Sequence, residues 1–152
     1  MTRAICFLFA MFSLVFNAYA AERYVDPIQK DIDEKHAVLV EKYKKTCTAK
    51  SAMNCRFEAK ERAEEDIPSR GSVPYSRKNY ANYSAAQAKT KLKELVNLWD
   101  YLDEQSKANW PGKLHQHQVE GEMRWLMRYK LKQQGGGLVI VNAKLYLGLP
   151  IM

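Results

Sequence analysis

Two cysteines, Cys47 and Cys55, lie eight positions apart in the stretch TCTAKSAMNC. On an unbroken helix their Cα atoms would be about 12 Å apart, at roughly 1.5 Å per residue. A disulfide bridges at most about 7 Å between Cα atoms. A continuous helix and a bond between them therefore exclude each other. The intervening Thr48, Ser51 and Asn54 are weak helix formers that favour turns and caps. The segment reads as a helix ending near Thr46, a tight turn, and a second helix starting between Ser51 and Asn54. The bond would staple this αα-corner. Closing about nine residues contributes roughly 2.5 kcal/mol on the chain-entropy account. A redox-active pair calls for C-x-x-C spacing, which this is not.

The opening residues make the bond chemically reasonable. Arg3 is followed by an apolar run from Ala4 to Phe16, then by Ala18-Tyr19-Ala20. This is the pattern of a signal peptide cleaved after Ala20, and the run is short for a bilayer span, which takes about 20 residues. Residues 1–20 are therefore expected to be removed, Cys6 with them. Residues 21–152 (152 − 20 = 132 residues) would remain as a single helical domain. An even cysteine count in an exported chain reads as a disulfide. The expected location is the periplasm or the extracellular space. The formal charge of +7 favours contact with anionic surfaces and is silent on fold.

The rest of the chain reads as mostly α, with about four helices packed as a bundle. In the first, Asp26 caps, Pro27 suits the first position and Gln29 completes a capping box. Ile28, Ile32, Leu39, Tyr43 and Cys47 form its apolar stripe, with His36 on the same face. The second, CRFEAKERAEED, uses Phe57 as its main apolar anchor and stops at Ile67, before Pro68. Residues 67–83 read as a long loop carrying tyrosine and arginine. Ser84 and Gln87 box the third helix, whose stripe is Ala85, Ala88, Leu92, Leu95, Trp99 and Leu102. The fourth starts near Pro111 and runs to about Gln134, where Gly135 stops it. Its inward residues are Val119, Met123, Leu126 and Met127. In 135–152 a glycine-rich hinge leads into an apolar tail. Eleven of its last fifteen residues are apolar and several are β-branched, so one or two short strands are expected. A strap across the helices is the other reading, and docking on another protein's sheet edge a third.

Motifs for chemistry are absent. The chain has no G-x-S-x-G, H-E-x-x-H, P-loop or dinucleotide fingerprint, and no catalytic residue or cofactor is assigned. His115 and His117, two apart on a helix, point about 200° apart. His117 with Glu120 makes only two ligands where zinc takes three or four, so no metal site is assigned.

Two segments suit binding instead. Tyr75, Arg77, Lys78 and Tyr80 combine residue types favoured at protein interfaces, although the tyrosines equally fit packing onto the helices. Arg124, Trp125, Arg128, Tyr129 and Lys132 form a basic–aromatic cluster suited to an anionic membrane or polysaccharide surface. The same cluster also fits an ordinary helix whose basic side chains cover its flanks. Export argues against a nucleic-acid partner. The expected function is non-enzymatic binding of another envelope or secreted protein, as an accessory, inhibitor or immunity-type factor. Binding to an anionic envelope surface, or an enzyme of unknown class, are the alternatives.

Overall fold

A computed structural model describes residues 25–48, 51–106 and 110–151. The expected signal peptide lies outside the described residues. The chain is mostly helical, with six α-helices and one π-helical turn among the described residues, where about four helices were expected.

Helix α1 (Pro27–Thr46) starts as its sequence dictates. The Asp26 side chain accepts a hydrogen bond from the Ile28 amide at 3.0 Å, and Pro27 occupies the first turn. Gln29 does not complete a capping box. It is buried, and its side chain turns to Asp33, Arg70 and Gln118. The helix ends at Thr46, and the Cys47–Cys55 disulfide forms across a Cα separation of 5.6 Å. Ser51 caps α2 (Ala52–Asp66), its Oγ accepting from the Asn54 amide at 3.1 Å. The stapled corner is thus formed where local chemistry allows it.

Phe57 is not the anchor of α2. It is 61% exposed, and Ala59 and Ala63 are buried in its place. Phe57 is two residues before Ala59, about 200° around the helix at roughly 100° per residue, so it faces away from the side of α2 that Ala59 and Ala63 bury. His36 sits half-buried at the seam, its Nε2 at 2.5 Å from the Ile67 carbonyl oxygen. A carbonyl only accepts, so Nε2 carries the proton.

Residues 67–83 are not one long loop. Val73–Tyr80 form a two-turn helix, α3, capped by Ser72 with Pro74 in its first turn. Its Ser72 Oγ accepts from the Tyr75 amide at 3.2 Å. Helix α4 (Ala85–Ser106) starts with the expected reciprocal bonds between Ser84 and Gln87. Ala88, Leu92, Leu95 and Leu102 of its stripe are buried, with Val96 beside them. Helix α5 (Trp110–Trp125) runs straight into the π-helical turn Leu126–Lys130. The helical path ends there, four residues short of Gln134, and Lys132 takes a positive φ of 56° just beyond it.

The tail is not strand. Val139–Leu147 form helix α6, closed by Gly148 with backbone bonds from Gly148 N to Leu145 O and from Leu149 N to Lys144 O. These are the paired bonds of a Schellman end. Only the first three residues of α6 are β-branched. Ala143 packs fully inside, and Lys144 is buried with its Nζ 2.7 Å from Asp100 Oδ1. Burial against α4 and α5 overrides strand propensity.

The main apolar core is built from residues between Tyr75 and Leu149. No residue of α1 or α2 belongs to it. The stapled α1–α2 hairpin is an arm on a body made of α3 to α6, and what joins the two is polar.

Candidate functional site

The joint is centred on Arg70. It lies in the turn before α3, yet it is 4% exposed. Gly71 and Gly121 make this possible. A Cβ on Gly121 would lie 2.2 Å from the Gly71 carbonyl oxygen, and a Cβ on Gly71 would lie 2.5 Å from that of Gln118. The turn therefore presses backbone to backbone on α5, and Gly71 has a φ of 84° that side-chain-bearing residues rarely adopt. Pressed in this way, Arg70 reaches the interior. Its Nη1 donates to Asp26 Oδ2 at 2.6 Å, and its Nε donates to Glu122 Oε1. Asp26 and Glu122 are 2% and 0% exposed. The Tyr80 hydroxyl donates to the other Glu122 oxygen. Gln29 Oε1 accepts from the Arg70 amide and from Gln118 Nε2, each at 3.3 Å. His115 Nδ1 stands 3.9 Å from Asp26 Oδ2.

The electrostatics follow from burial. Desolvation, the largest influence on Arg70, works to lower its pKa. Glu122 and Asp26 outweigh it and hold the guanidinium above its ordinary value. Burial first and the Glu122 charge second push the Tyr80 phenol well above its usual range. The same two causes raise Tyr75. With the three charged groups withdrawn from solvent, a substrate has no approach to them. The cluster fastens the arm to the body.

The two segments singled out for binding meet on one side of the body. The Tyr75 and Tyr80 rings are 6.3 Å apart, Tyr80 and Trp125 6.5 Å, and Trp125 and Tyr129 5.3 Å. Lys130 Nζ donates to the Ala81 carbonyl, tying the π turn to the end of α3. Tyr80 and Trp125 are themselves buried, at 4% and 8% exposure, so they form the packed base of this face and not its contact surface. Tyr75 is half-buried and Tyr129 is 51% exposed. Arg77, Lys78, Arg124, Arg128 and Lys132 are exposed, Arg124 with its Nε donating to the Gly135 carbonyl at 3.1 Å. The charge is segregated to match. Residues 67–152 hold 13 cationic and 6 acidic side chains (13 − 6 = +7), whereas 25–66 hold 9 and 10 (9 − 10 = −1).

His115 and His117 diverge, the first toward Asp26 and the second toward Glu120 at 3.5 Å. Among the described residues no group of three His, Cys, Asp or Glu side chains is placed to hold a metal ion.

From sequence, Asp26 and Gln29 read only as a helix cap and Tyr80 as a partner-binding residue; Glu122 is not singled out, and nothing there foretells the meeting of these residues at Arg70. One of them does carry a sequence signal. Glu122 interrupts the inward stripe of α5, three after Val119 and four before Leu126, directly after Gly121. Comparisons with family models, with curated proteins and with solved structures find no match for this chain.

Proposed function

We propose that the protein is an exported, non-enzymatic binder of another envelope or secreted protein, contacting an acidic surface of that partner through the face built by α3 and the π turn. The observation that carries this reading is the aromatic run from Tyr75 through Tyr80 and Trp125 to Tyr129. It unites two basic segments, 75–80 and 124–132, whose nearest ends are 44 residues apart in sequence (124 − 80), on one rigid base. A pre-packed base lowers the ordering cost of binding, and a cationic rim steers an acidic partner. The π turn and the positive φ at Lys132 are of the kind found at functional sites. Export is supported by the disulfide and by the signal-like opening. No described helix is long and apolar enough to cross a membrane.

Lipid binding by α5 has weaker support. An interfacial helix needs a free apolar face, and here Val119, Met123, Leu126 and Met127 are spent on the core. An enzyme has weaker support still, because the Arg70–Asp26–Glu122 cluster is closed to solvent.

The test is recovery of a partner from envelope extract on the immobilised mature protein. Tyr75 is half-buried, so its loss would confound binding with stability. Arg77→Glu with Arg128→Glu is cleaner, since both side chains are exposed. Recovery should fall by about tenfold or more, with Tm essentially unchanged. No recovered protein, or recovery indifferent to the reversals, refutes the proposal. Retention on anionic vesicles or polysaccharide alone would replace it with the surface-binding alternative.

A further inference from the structure

The arm carries a groove of about 500 Å³ between α1 and α2, a volume in the range of ligand sites. Its floor includes Ala37, Val40 and Ala63. Its two ends differ in charge. At the body end stand Asp33 and Glu64. Asp33 Oδ1 accepts from Gln29 Nε2 at 2.7 Å, and the Glu64 oxygens accept from the Ser69 amide and hydroxyl at 2.7 and 2.5 Å. Those donors are neutral, and neither carboxylate has a lysine or arginine within salt-bridge distance among the described residues. His36 closes this end, 3.9 Å from Glu64 and with Nε2 engaged by the Ile67 carbonyl.

Toward the disulfide end stand Lys44 and Arg56 with one acid, Glu41, and Lys60 lies midway along the groove, one turn from Arg56 and one from Glu64. Glu41 is paired with Lys44 at 2.5 Å, and Lys44, ahead of Lys45 and Arg56, holds its carboxyl below the ordinary value. Arg56 and Lys60 lie one turn apart on α2, and neither has a carboxylate within salt-bridge distance among the described residues. The formal balance is two negative charges at the body end (Asp33, Glu64) and a net two positive over the rest of the groove (Lys44, Arg56 and Lys60 less Glu41, 3 − 1). Along α1, Asp33 and Lys44 are eleven residues apart, or about 16 Å at 1.5 Å per residue. An extended peptide of about five residues spans that length at roughly 3.3 Å each.

We propose that this groove binds a short extended peptide with free termini, its amine toward Asp33 and Glu64 and its carboxylate toward Arg56 and Lys60. The apolar floor takes small side chains. The site is distinct from the α3 and π-turn face and does not rest on it.

The test uses the full mature chain at low salt, titrated with pentaalanine and with its N-acetylated, C-amidated form, followed by amide chemical shifts. Saturable shifts should centre on Ala37, Val40 and Ala63. Blocking both termini should weaken binding by about tenfold or more, as loss of charge complementarity at both ends requires. Arg56→Gln with Lys60→Gln, both exposed, should do the same without changing Tm. Asp33→Asn should weaken the free peptide more than a peptide already acetylated. Arg77→Glu with Arg128→Glu should leave peptide binding unchanged, which separates this site from the partner-binding face. Equal binding of free and blocked peptide overturns the proposal. So do shifts that map elsewhere, or the absence of saturable shifts up to about 10 mM. If acetate alone reproduces the shifts, the site takes simple anions and the peptide assignment fails.

Discussion

Replacing Arg70 with methionine keeps the stem and removes the cation that two buried carboxylates share. Glu122 would keep the Tyr80 hydroxyl, and Asp26 would keep the Ile28 amide. Neither would keep a counter-charge hydrogen-bonded to it as Arg70 is. Breaking a buried pair from one side costs about 3–5 kcal/mol, because the remaining charge is stranded. Both carboxylates here are at most 2% exposed, so the upper half of that range applies. Domains of this size are stable by only about 5–15 kcal/mol. Urea unfolding of the disulfide-bonded protein, followed by circular dichroism, should show a midpoint lowered by roughly 2 M for a urea m-value of about 2 kcal/mol/M. Arg70→Lys keeps the charge and loses the fork that serves Asp26 and Glu122 at once, so it should fall between. The decisive measurement is the cycle with Glu122→Met. Removing both partners strands one carboxylate fewer than Arg70→Met alone. The double variant should therefore be more stable than the sum of the singles by about 1.5–3 kcal/mol. An Arg70→Met cost below about 1 kcal/mol, with additive singles, would mean that the ions do not fasten the arm.

Two further outcomes follow from the same joint. Gly121→Ala puts a Cβ 2.2 Å from the Gly71 carbonyl oxygen, and neither backbone can give way cheaply, so a loss of about 3 kcal/mol is expected. Thermal melts should show it as a drop in Tm of about 10 °C. Gly136→Ala, with nothing within 4 Å, is the control and should leave Tm unchanged. The Tyr80 and Tyr75 phenols are raised above their ordinary value of 10.0, by burial first and Glu122 second. A raised pKa stabilises the fold in full below the unfolded value, and that stability is lost as pH climbs above it. Alkaline titration by near-ultraviolet absorbance should thus show phenols that ionise only together with unfolding, above pH 10. A single reversible step near 10, with circular dichroism unchanged, would contradict their burial.

The corner was legible because covalent geometry acts locally. Eight residues of helix cannot carry a disulfide, and Asp26, Pro27 and Ser51 mark ends through atoms two or three positions away. Helix α3 was not legible by period. Eight residues make about two turns, too few for an apolar stripe, and its inward residues are Ser76 and Tyr80. Its cap, Ser72 with Pro74 following, was present in the sequence but embedded among other turn formers. The tail was misread because Val139, Ile140 and Val141 weigh toward strand in isolation. What decides for helix is long-range, the burial of Val139, Ile140 and Ala143 against α4 and α5.

The joint is harder to read for the same reason. Arg70 finds Asp26 and Glu122 at separations of 44 and 52 residues, and no local pattern announces such a meeting. Its residues nevertheless explain how the arm can exist. Between α1 and α2 the buried apolar side chains are Ile32, Ala59 and Ala63, far less than the body's core holds. Isolated helices of about 15–20 residues are marginal in water, and burial of one isoleucine and two alanines adds only a few kcal/mol. The disulfide closes the arm at its tip, and the Arg70 cluster fixes it at its root. Lacking a large apolar seam, the two helices keep a polar groove between them with opposite charge at its two ends. A better-packed hairpin, with a larger apolar side chain at the exposed Ala37, would fill that floor and gain stability from it. The sparing use of apolar contact is thus the physical condition for the groove, and the two fasteners are what make it tolerable.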